Sequence, residues 1–358
     1  MNFKKKIFSI LFGSGFFLLL ASLIYDLITS LRNFLYDKKI FSSINFKIPI
    51  ISVGNISLGG TGKTRLVEYL ANYYLKKKYK IAILRRGYKR KSKGYLEANE
   101  SQDYLSIGDE PMQFYLKFKK KIVIVVCEDR VYAIKKIQKK YPKTNLIILD
   151  DGFQQRKINS SFNIINSQFS KPFFNDYLFP YGFLREKRKN INRAHLLIFS
   201  KVLKNISSSD FKNHISKSLK YFKNENKIFF SEIKYLKPVP LFGNNTSLNK
   251  IKNFISVSSI SDSNLFDQYL ISNYNIIKNY KFSDHHIYNL KEIDNIINSL
   301  DERTALIITE KDEPKFKIYK NKLSNYSIFK LPIKITLIDK KNQFFNSINS
   351  YLNLYNNQ

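Results

Sequence analysis

Ile50–Tyr69 reads IISVGNISLGGTGKTRLVEY, and this stretch decides the fold of the chain. The apolar run Ile48–Val53 predicts a buried β-strand, and the glycine-rich loop after it ends at Lys63 and Thr64. Apolar residues then recur at helical spacing, namely Leu66, Val67, Leu70, Ala71 and Tyr74. A strand, a glycine-rich loop and a helix in this order surround a polyphosphate with backbone N–H groups. The stretch therefore predicts a phosphate loop.

The spacing of this loop departs from the usual G-x-x-x-x-G-K-[ST] pattern at one position. Ser57 stands where the pattern has its first glycine, while three later glycines keep the loop flexible. We interpret the stretch as a variant phosphate loop, in which Lys63 reaches the terminal phosphates and the Thr64 hydroxyl binds Mg²⁺. The alternative is a glycine-rich turn that precedes a lysine by chance.

The composition indicates a folded, strongly basic protein. The 358 residues carry a formal net charge of +33, and 44% of them are hydrophobic, which is enough for two folded domains. Such a charge is typical of proteins that bind nucleic acid or anionic membranes, but the lysines are spread along the whole chain, as a compositional bias would place them. The single cysteine, Cys127, excludes a disulfide framework within one chain. We expect a monomer without a nucleic-acid partner.

An uncharged segment near the start of the chain, Ile7–Tyr25, follows the lysines of Lys4–Lys6. At about 1.5 Å per residue, a helix of this length just spans a thin hydrocarbon core or lies deep in one leaflet. It could be a signal peptide, a spanning helix or an in-plane anchor, but a cleaved signal would export the phosphate loop to a compartment without ATP. Apolar residues continue at helical spacing to Leu35, so we expect a membrane-associated helix.

Short apolar runs separated by helix-like segments follow the phosphate loop. This alternation predicts an α/β fold with a parallel sheet covered by helices on both faces. The predicted strands are Ile81–Leu84, Ile122–Val126, Leu146–Leu149, Phe162–Ile165 and Leu196–Phe199. Further along, Ile228–Tyr235 is predicted to be an extended linker. A second, smaller α/β unit follows, with strands Ile255–Val257 and Ala305–Ile308 and a helix at Leu290–Leu300.

These predictions divide the chain into four parts. Residues 1–40 form the N-terminal helix, 41–227 the phosphate-loop domain, 228–236 the linker, and 237–358 the second α/β domain with a C-terminal helix.

Paired carboxylates follow the predicted strand Leu146–Leu149, at the edge where open α/β sheets bind ligands. Asp150 and Asp151 suit Mg²⁺ beside a triphosphate, because this ion prefers carboxylate and water ligands. The same pair ahead of Gly152 could form only a turn. The phosphate loop upstream makes magnesium binding the favoured interpretation.

A second carboxylate pair, Asp109 and Glu110, lies in the tetrapeptide GDEP at 108–111. Carboxylates at the start of a helix could simply complement its positive end. A sugar or alcohol kinase also needs a carboxylate that accepts the hydroxyl proton as phosphate transfers. Either residue could be that base or a second magnesium ligand.

Two more polar motifs lie in the predicted second unit. The tripeptide DHH at 284–286 contains two of the four histidines, and adjacent histidines on a loop are usually only solvated. No cysteine or helical histidine pair lies near it at zinc-ligand spacing. The tetrapeptide TEKD at 309–312 could be a helix N-cap followed by charges.

Taken in order, these segments resemble the tetraacyldisaccharide 4′-kinase family of lipid A biosynthesis over nearly the whole chain. The motifs that carry the resemblance are PIISVGNISLGGTGKT, RRGYKR, GDEP, LDDGFQ, PYGFLRE, FSDHH and TEKD. The resemblance implies an N-terminal membrane helix and two α/β domains joined by a β linker. It also implies transfer of the γ-phosphate of ATP to the 4′-hydroxyl of a tetraacylated glucosamine disaccharide 1-phosphate. The product would be lipid IVA, an intermediate of lipopolysaccharide, made at the cytoplasmic face of the inner membrane.

The resemblance assigns roles to individual residues. Asp109 would accept the proton of the substrate hydroxyl, His285 would orient Asp109, and Lys63 would complete the catalytic set. The triphosphate of ATP is expected on Ser57, Leu58, Gly59, Gly60, Thr61, Gly62, Lys63 and Thr64. Mg²⁺ is expected on Thr64, Glu110, Asp150 and Asp151.

Two other classes of function stay open. A membrane-associated nucleotide switch without a lipid substrate would also need a phosphate loop. Guanine-binding switches carry an Asn-Lys-x-Asp loop, whereas this chain has Asn-Lys-Ile-Lys at 249–252, which counts against that class. A nucleic-acid-binding ATPase is motivated by charge alone.

Overall fold

The structure is a computed structural model that describes residues 3–203, 205–242 and 248–356, with only the backbone of residues 3–14. The side chains of the three lysines expected to flank the apolar segment therefore lie outside the described part. The helices are α1 Phe3–Asp37, α2 Lys63–Lys76, α3 Tyr104–Ile107, α4 Asp109–Phe118, α5 Arg130–Lys140, α6 Ser208–Leu219, α7 Asn264–Asn273, α8 Leu290–Ile297, α9 Glu313–Lys317, α10 Lys320–Leu323 and α11 Lys341–Asn356.

The strands alternate with these helices along much of the chain. They are β1 Ile50–Gly54, β2 Ile81–Arg85, β3 Leu96–Glu97, β4 Val123–Val126, β5 Leu146–Asp150, β6 Phe162–Gln168, β7 Leu196–Ser200, β8 Ile228–Tyr235, β9 Val239–Pro240, β10 Asn253–Ser258, β11 Ile276–Lys281, β12 Thr304–Thr309, β13 Ile328–Leu331 and β14 Ile333–Leu337.

The chain is divided into two compact units, each built from segments distant in sequence. The first consists of Met1–Val67, Asn145–Glu232 and Thr336–Gln358, and the second of Glu68–Thr144 and Ile233–Ile335. Three of the four boundaries fall within α2, β8 and β14, and the fourth falls in the loop between α5 and β5. The domain limits expected from the sequence follow a different division and remain a prediction.

A parallel sheet positions the phosphate loop in the first unit. Its strands follow the order β14-β8-β7-β6-β1-β5. β1 pairs in parallel with both neighbours, so that Val53 lies opposite Asp150 on one side and Ile164 on the other. Because the carboxyl ends of parallel strands meet at one edge, the loop after β1 and the aspartates at the end of β5 lie at the same edge of the sheet.

Strands β1, β5 and β7 of the first unit are buried along their whole length, as expected for a parallel sheet covered on both faces. An apolar cluster rich in phenylalanine packs around β6, β7 and β8. It includes Phe173, Phe199 and Phe230. The predicted extended segment Ile228–Tyr235 is β8, and it pairs in parallel with β7 instead of only linking two domains.

The second unit contains two sets of strands. β2 and β4 are parallel, and the short β3 is antiparallel to β4. A separate five-stranded sheet has the order β11-β10-β12-β13-β9, parallel except for β9. Residues of β12 alternate between two apolar clusters, with Leu306 and Ile308 in one and Ala305 and Ile307 in the other. This alternation shows that both faces of the sheet are covered.

The fold class predicted from the sequence is confirmed. The chain is an α/β protein with a parallel phosphate-loop sheet, a second and smaller α/β sheet, and a long apolar N-terminal helix. Among the described residues, Gly15–Asp37 of α1 is the one helical segment long and apolar enough to cross a membrane.

Candidate active site

The phosphate loop connects β1 to α2 and depends on glycine at two positions. Gly59 and Gly62 have φ angles of +95° and +89°, which residues with a Cβ rarely adopt. At Gly62 a Cβ would also lie 3.4 Å from Ser200 Oγ and 3.5 Å from Asn166 Nδ2. Glycine at position 62 therefore permits both the turn and its close packing against the sheet.

Hydrogen bonds from neighbouring strands hold the loop in this shape. The Thr61 carbonyl accepts from Asn166 Nδ2 at 2.7 Å and from Ser200 Oγ at 2.6 Å. Asn55 Nδ2 donates to the Ser57 carbonyl at 2.5 Å and to Thr61 Oγ1 at 3.1 Å. All five side chains are buried. The tip of the loop, at 58–60, is exposed, so an anion can reach it.

Lys63 is the first residue of α2, and its ammonium group lies against a carboxylate. Its Nζ is 3.1 Å from Asp151 Oδ1, and Arg185 Nη1 is 3.0 Å from Asp151 Oδ2. Burial lowers the pKa of Lys63, while the charge of Asp151 opposes this shift. Lys63, Asp151 and Arg185 thus form a charged group beside the phosphate loop.

The segment with sequence PYGFLRE at 180–186 supports the phosphate loop from the other side. The Leu58 N–H donates to the Phe183 carbonyl at 2.7 Å, and the Arg185 N–H donates to the Ile56 carbonyl at 2.6 Å. An antiparallel bridge joins Ser57 to Leu184 between these two bonds. No pattern in the sequence indicated this backbone pairing.

Three of the expected magnesium ligands belong to the first unit. Thr64 is in the first turn of α2, while Asp150 and Asp151 stand at the end of β5, the neighbour of β1. Hydroxyl and carboxylate oxygens are the ligands that Mg²⁺ prefers, and Asp150 is fully buried. This donor set fits a magnesium ion bound next to a triphosphate.

The second group of polar residues centres on Asp109, which begins α4 in the second unit. Asp109 is only 5% exposed, and its Oδ2 lies 2.8 Å from His285 Nδ1. Its Oδ1 accepts the N–H of Glu110 at 2.9 Å. The ring of His285 packs edge-on against Tyr88, with 5.7 Å between centroids. The structure therefore brings together Asp109 and His285, which are 176 positions apart in the sequence.

Neighbouring positive charge determines the protonation state of Asp109. Burial alone would raise the pKa of its carboxyl group. The hydrogen bond from His285 and the charges of Lys311 and Lys315 outweigh burial and hold the pKa of Asp109 well below its usual value. Asp109 is consequently an ionised carboxylate, ready to accept a hydrogen bond or a proton.

The two lysines belong to the segment that begins with TEKD. Lys311 Nζ is 3.8 Å from Asp109 Oδ2 and donates to Asp284 Oδ1 at 2.6 Å. Burial would lower the pKa of Lys311, but Asp109, Glu110 and Asp284 raise it above its usual value. Lys315 Nζ is 3.9 Å from Asp109 Oδ2 and is almost fully buried. Two ammonium groups therefore face the same carboxylate oxygen.

Asp312 anchors this segment from within the second unit. It is fully buried and accepts hydrogen bonds from the Ser259 N–H at 3.0 Å, from Thr309 Oγ1 at 2.6 Å and from Tyr288 Oη at 3.2 Å. Lys315 Nζ lies 3.5 Å from Asp312 Oδ1. Asp312 is the N-cap residue of α9, but its side chain makes no capping bond. It instead joins the turn to Ser259, the residue after β10, and to Lys315.

Glu110, the fourth expected magnesium ligand, lies beside Asp109 and His285 in the second unit. One ligand atom from each of these three residues lies within 4.8 Å of the others, which is close enough for a metal ion. However, Glu110 pairs with Arg85 at 2.5 Å, and lysine ammonium groups already face Asp109. The cationic neighbours of both carboxylates therefore disfavour a cation site at these three residues.

The role of Lys311 and Lys315 was missed at the level of the sequence. TEKD was interpreted as a capping sequence, because nothing in the local pattern indicates a carboxylate some two hundred positions earlier. One signal was present: Lys315 stands between Pro314 and Phe316, and a lysine inside an apolar turn is rarely buried without a charged partner.

Comparison with known proteins connects this geometry to one family. Residues 14–353 match the family model described as tetraacyldisaccharide-1-P 4′-kinase. A tetraacyldisaccharide 4′-kinase of Flavobacterium johnsoniae is 36% identical over 335 residues, which cover 92% of this chain and 95% of that protein. The protein of the same name from Phocaeicola vulgatus is 36% identical over 340 residues, which cover 91% of this chain and 92% of that protein.

A solved structure is similar over almost the same length. The crystal structure of LpxK from Aquifex aeolicus in complex with ATP superimposes with a TM-score of 0.74 and 28% sequence identity. The alignment covers 93% of this chain and 98% of that one.

Proposed function

The chain belongs to the tetraacyldisaccharide-1-P 4′-kinase family, and we propose that it transfers the γ-phosphate of ATP to the 4′-hydroxyl of a tetraacylated glucosamine disaccharide 1-phosphate. The product is lipid IVA, so the chain is a kinase of lipid A biosynthesis. The identity of the relatives and the coverage of nearly the whole chain support this activity over a nucleotide switch without a lipid substrate.

The first unit supplies the nucleotide site. Backbone N–H groups of the loop at 57–64 and the N-terminus of α2 face the triphosphate, and Lys63 neutralises charge at its terminal phosphates. Thr64, Asp150 and Asp151 would hold Mg²⁺, which supplies positive charge to the phosphate oxygens as the γ-phosphoryl group moves. The hydrogen bonds at Thr61 support the role of the loop, because they fix its shape before the nucleotide binds.

The second unit supplies the proton acceptor. As the bond between the 4′-oxygen and the γ-phosphorus forms, the bond from that phosphorus to the β–γ bridging oxygen breaks, and ADP leaves. The hydroxyl proton passes to Asp109, which remains hydrogen-bonded to His285. In a loose transition state the proton transfers late, so even a weakly basic carboxylate is sufficient.

One observation carries this proposal most directly: the buried Asp109 carboxylate is hydrogen-bonded to His285 at 2.8 Å. A buried acid would ordinarily be protonated, but the hydrogen bond from His285 and the charges of Lys311 and Lys315 keep this one ionised. Buried groups whose pKa is shifted by specific neighbours are typical of active sites.

We place the protein at the cytoplasmic face of the inner membrane, as a monomer. The apolar helix α1 supports membrane association, and the need for ATP supports the cytoplasmic face.

Incubation of the purified full-length chain with γ-³²P-ATP, Mg²⁺ and the disaccharide 1-phosphate in detergent tests the activity. We expect radiolabel in a lipid product that forms in proportion to enzyme concentration. ATP hydrolysis without a labelled lipid would instead favour the nucleotide switch. Omission of Mg²⁺ in the presence of a chelator should abolish labelling, whereas unchanged labelling would contradict the assignment of the metal.

A further inference from the structure

A second apolar surface lies beside α1 in the first unit. It is formed by the aromatic loop, which we define as residues 177–183. Four of its seven residues are aromatic, and their side chains are between 44% and 65% exposed: Tyr177, Phe179, Tyr181 and Phe183. So dense an exposed aromatic patch marks a surface that binds another apolar body.

Direct contacts join the aromatic loop to α1. Ser22 Oγ donates to the Leu178 carbonyl at 3.0 Å, and Tyr25 Oη donates to the Arg185 carbonyl at 2.9 Å. The rings of Tyr25 and Phe179 pack edge-to-face with 5.8 Å between centroids. The exposed apolar side chains of α1 include Leu20, Leu23, Ile24, Leu27 and Ile28. The loop therefore extends the apolar surface of the helix.

The loop presents its aromatic side chains from a fixed backbone. Asp176 Oδ1 accepts the N–H groups of Tyr177 at 2.8 Å and of Phe183 at 3.1 Å, which closes the two ends of the loop. The Gly182 N–H donates to the Leu178 carbonyl at 2.7 Å. Because the backbone of the loop is already fixed, binding to another surface costs little conformational entropy.

The same loop is bonded directly to the phosphate loop. The Phe183 carbonyl accepts the N–H of Leu58, and the Arg185 N–H donates to the Ile56 carbonyl. A surface that binds the aromatic side chains must therefore lie close to the exposed tip of the phosphate loop, where ATP is expected to bind.

We propose that the aromatic loop is a second membrane-docking element, which inserts its phenylalanine and tyrosine side chains into the headgroup region of the bilayer beside α1. This inference rests on the membrane location given under the proposed function. Docking at two points would fix the rotation of the protein about α1 and hold the phosphate loop at the membrane surface, where the lipid substrate lies.

The chemistry of the loop favours a bilayer over a second copy of the chain. Tyrosine combines an apolar ring with a polar end, a combination typical of the membrane–water interface. The exposed Lys189 follows the loop a few residues later, where its ammonium group can meet anionic headgroups. A chain with a net charge of +33 would repel its own copy, whereas an anionic membrane attracts it.

The absence of tryptophan from the sequence permits a direct test. Phe183→Trp places a single fluorescent reporter in the aromatic loop, and Leu27→Trp places one on the exposed face of α1. Tyr132→Trp is the matched control, because Tyr132 is a 51% exposed aromatic residue on α5 of the second unit. Each full-length variant is mixed with phosphatidylethanolamine–phosphatidylglycerol vesicles whose acyl chains are brominated. Kinase activity in detergent is first measured to show that each variant folds.

We expect vesicles to shift Phe183→Trp emission to shorter wavelength and to quench it at least twofold, and to leave Tyr132→Trp unchanged. Quenching of Leu27→Trp without quenching of Phe183→Trp would overturn the loop proposal while preserving the membrane location. Quenching of neither would overturn both, even if the kinase remained active in detergent. A blue shift of Phe183→Trp that grows with protein concentration without lipid would assign the loop to self-association and overturn bilayer docking.

Discussion

At Asp109, burial and neighbouring charge act on one carboxylate in opposite directions. Burial favours the protonated form, while His285, Lys311 and Lys315 favour the ionised form and prevail. The folded protein therefore holds an ionised acid in a buried position. This arrangement stabilises the fold only while the carboxylate keeps its charge.

The replacement Asp109→Asn should change how stability depends on pH. The pKa of Asp109 is lower in the folded chain than its value of about 3.9 in an unfolded chain. Its ionisation therefore stabilises the fold above about pH 4, and this contribution is lost as the pH falls toward the folded-state pKa. Below about pH 4, the free energy of unfolding from urea titrations should fall more steeply in the wild type than in Asp109→Asn.

A matched control is Asp339→Asn, since Asp339 is exposed. It should follow the wild-type pH profile. Parallel profiles for the wild type and Asp109→Asn would contradict the charge assignment at Asp109.

Asp312 and Lys315 form a second pair whose charges depend on each other. Asp312→Asn should lower the free energy of unfolding by about 1–3 kcal/mol, because it removes the nearer of the two carboxylates that face the buried Lys315 ammonium group and leaves only Asp109. The double variant Asp312→Asn/Lys315→Met should lose less than the sum of the two single variants. Urea unfolding measures all of these free energies. Strict additivity in this double-mutant cycle would show that the two residues do not interact.

The sequence predicted one part of this site and not another. Asp109 and His285 were expected as a pair from the family resemblance, and the structure places them in hydrogen-bond contact. The contribution of Lys311 and Lys315 could not be predicted, because it depends on the packing of α9 and the turn before it against α4. Only the tertiary fold contains this information.

At the level of elements, apolar runs predicted the buried strands well. The expected strand Ile81–Leu84 is β2, and Ala305–Ile308 is β12 with one more residue at each end. Strand β11 was not predicted, because its exposed and charged residues lack the apolar pattern of a buried strand. It lies at the edge of its sheet and is held by backbone pairing with β10.

The turn at Gly62 in the phosphate loop leads to a prediction about ATP affinity. Gly62→Ala should weaken ATP binding at least tenfold, because the φ angle of +89° strains any residue but glycine and the loop must keep this turn to hold the triphosphate. Isothermal titration with Mg·ATP measures the affinity. Gly59→Ala is the comparison, since its φ angle is also positive but no atom lies within 4 Å of its Cβ position.

We expect Gly59→Ala to lose affinity as well, because its φ angle of +95° is also one that residues with a Cβ rarely adopt. Circular dichroism should show that both variants fold. Equal affinities for Gly62→Ala and the wild type would contradict the role of this turn in nucleotide binding.

Across the whole molecule, charge and apolar surface make separable contributions to membrane binding. The net charge of +33 attracts anionic lipid, but at 1 M salt the Debye length is only about 3 Å and this attraction is screened. Insertion of α1 is not screened in this way. The full-length chain should therefore remain with phosphatidylglycerol-containing vesicles after a wash in 1 M NaCl.

Co-sedimentation with vesicles measures the retained fraction. Neutral phosphatidylcholine vesicles provide the control, and they should retain the chain more weakly but with little dependence on salt. Complete release from anionic vesicles at 1 M NaCl would show that binding is electrostatic adsorption and that α1 does not insert.

Local sequence patterns predicted the class of the molecule. A single phosphate loop and an apolar N-terminal helix are local patterns, and both lie where they were expected. The chain passes from one compact unit to the other within α2, β8 and β14, so each unit is built from segments that are distant in the sequence. Which segments join the same unit depends on contacts between distant parts of the chain. Periodicity cannot show these contacts.

The catalytic role of the dyad is tested most directly by the rate of a single turnover. Enzyme in excess over lipid, with saturating Mg·ATP, is mixed and quenched for the wild type, Asp109→Asn and His285→Gln. His286→Gln is the matched control, because His286 contacts Glu292 and not Asp109. We predict that Asp109→Asn slows phosphoryl transfer by about 10²–10⁴ and His285→Gln slows it less, with ATP affinity and the control rate unchanged. Transfer by Asp109→Asn at the wild-type rate would contradict the account.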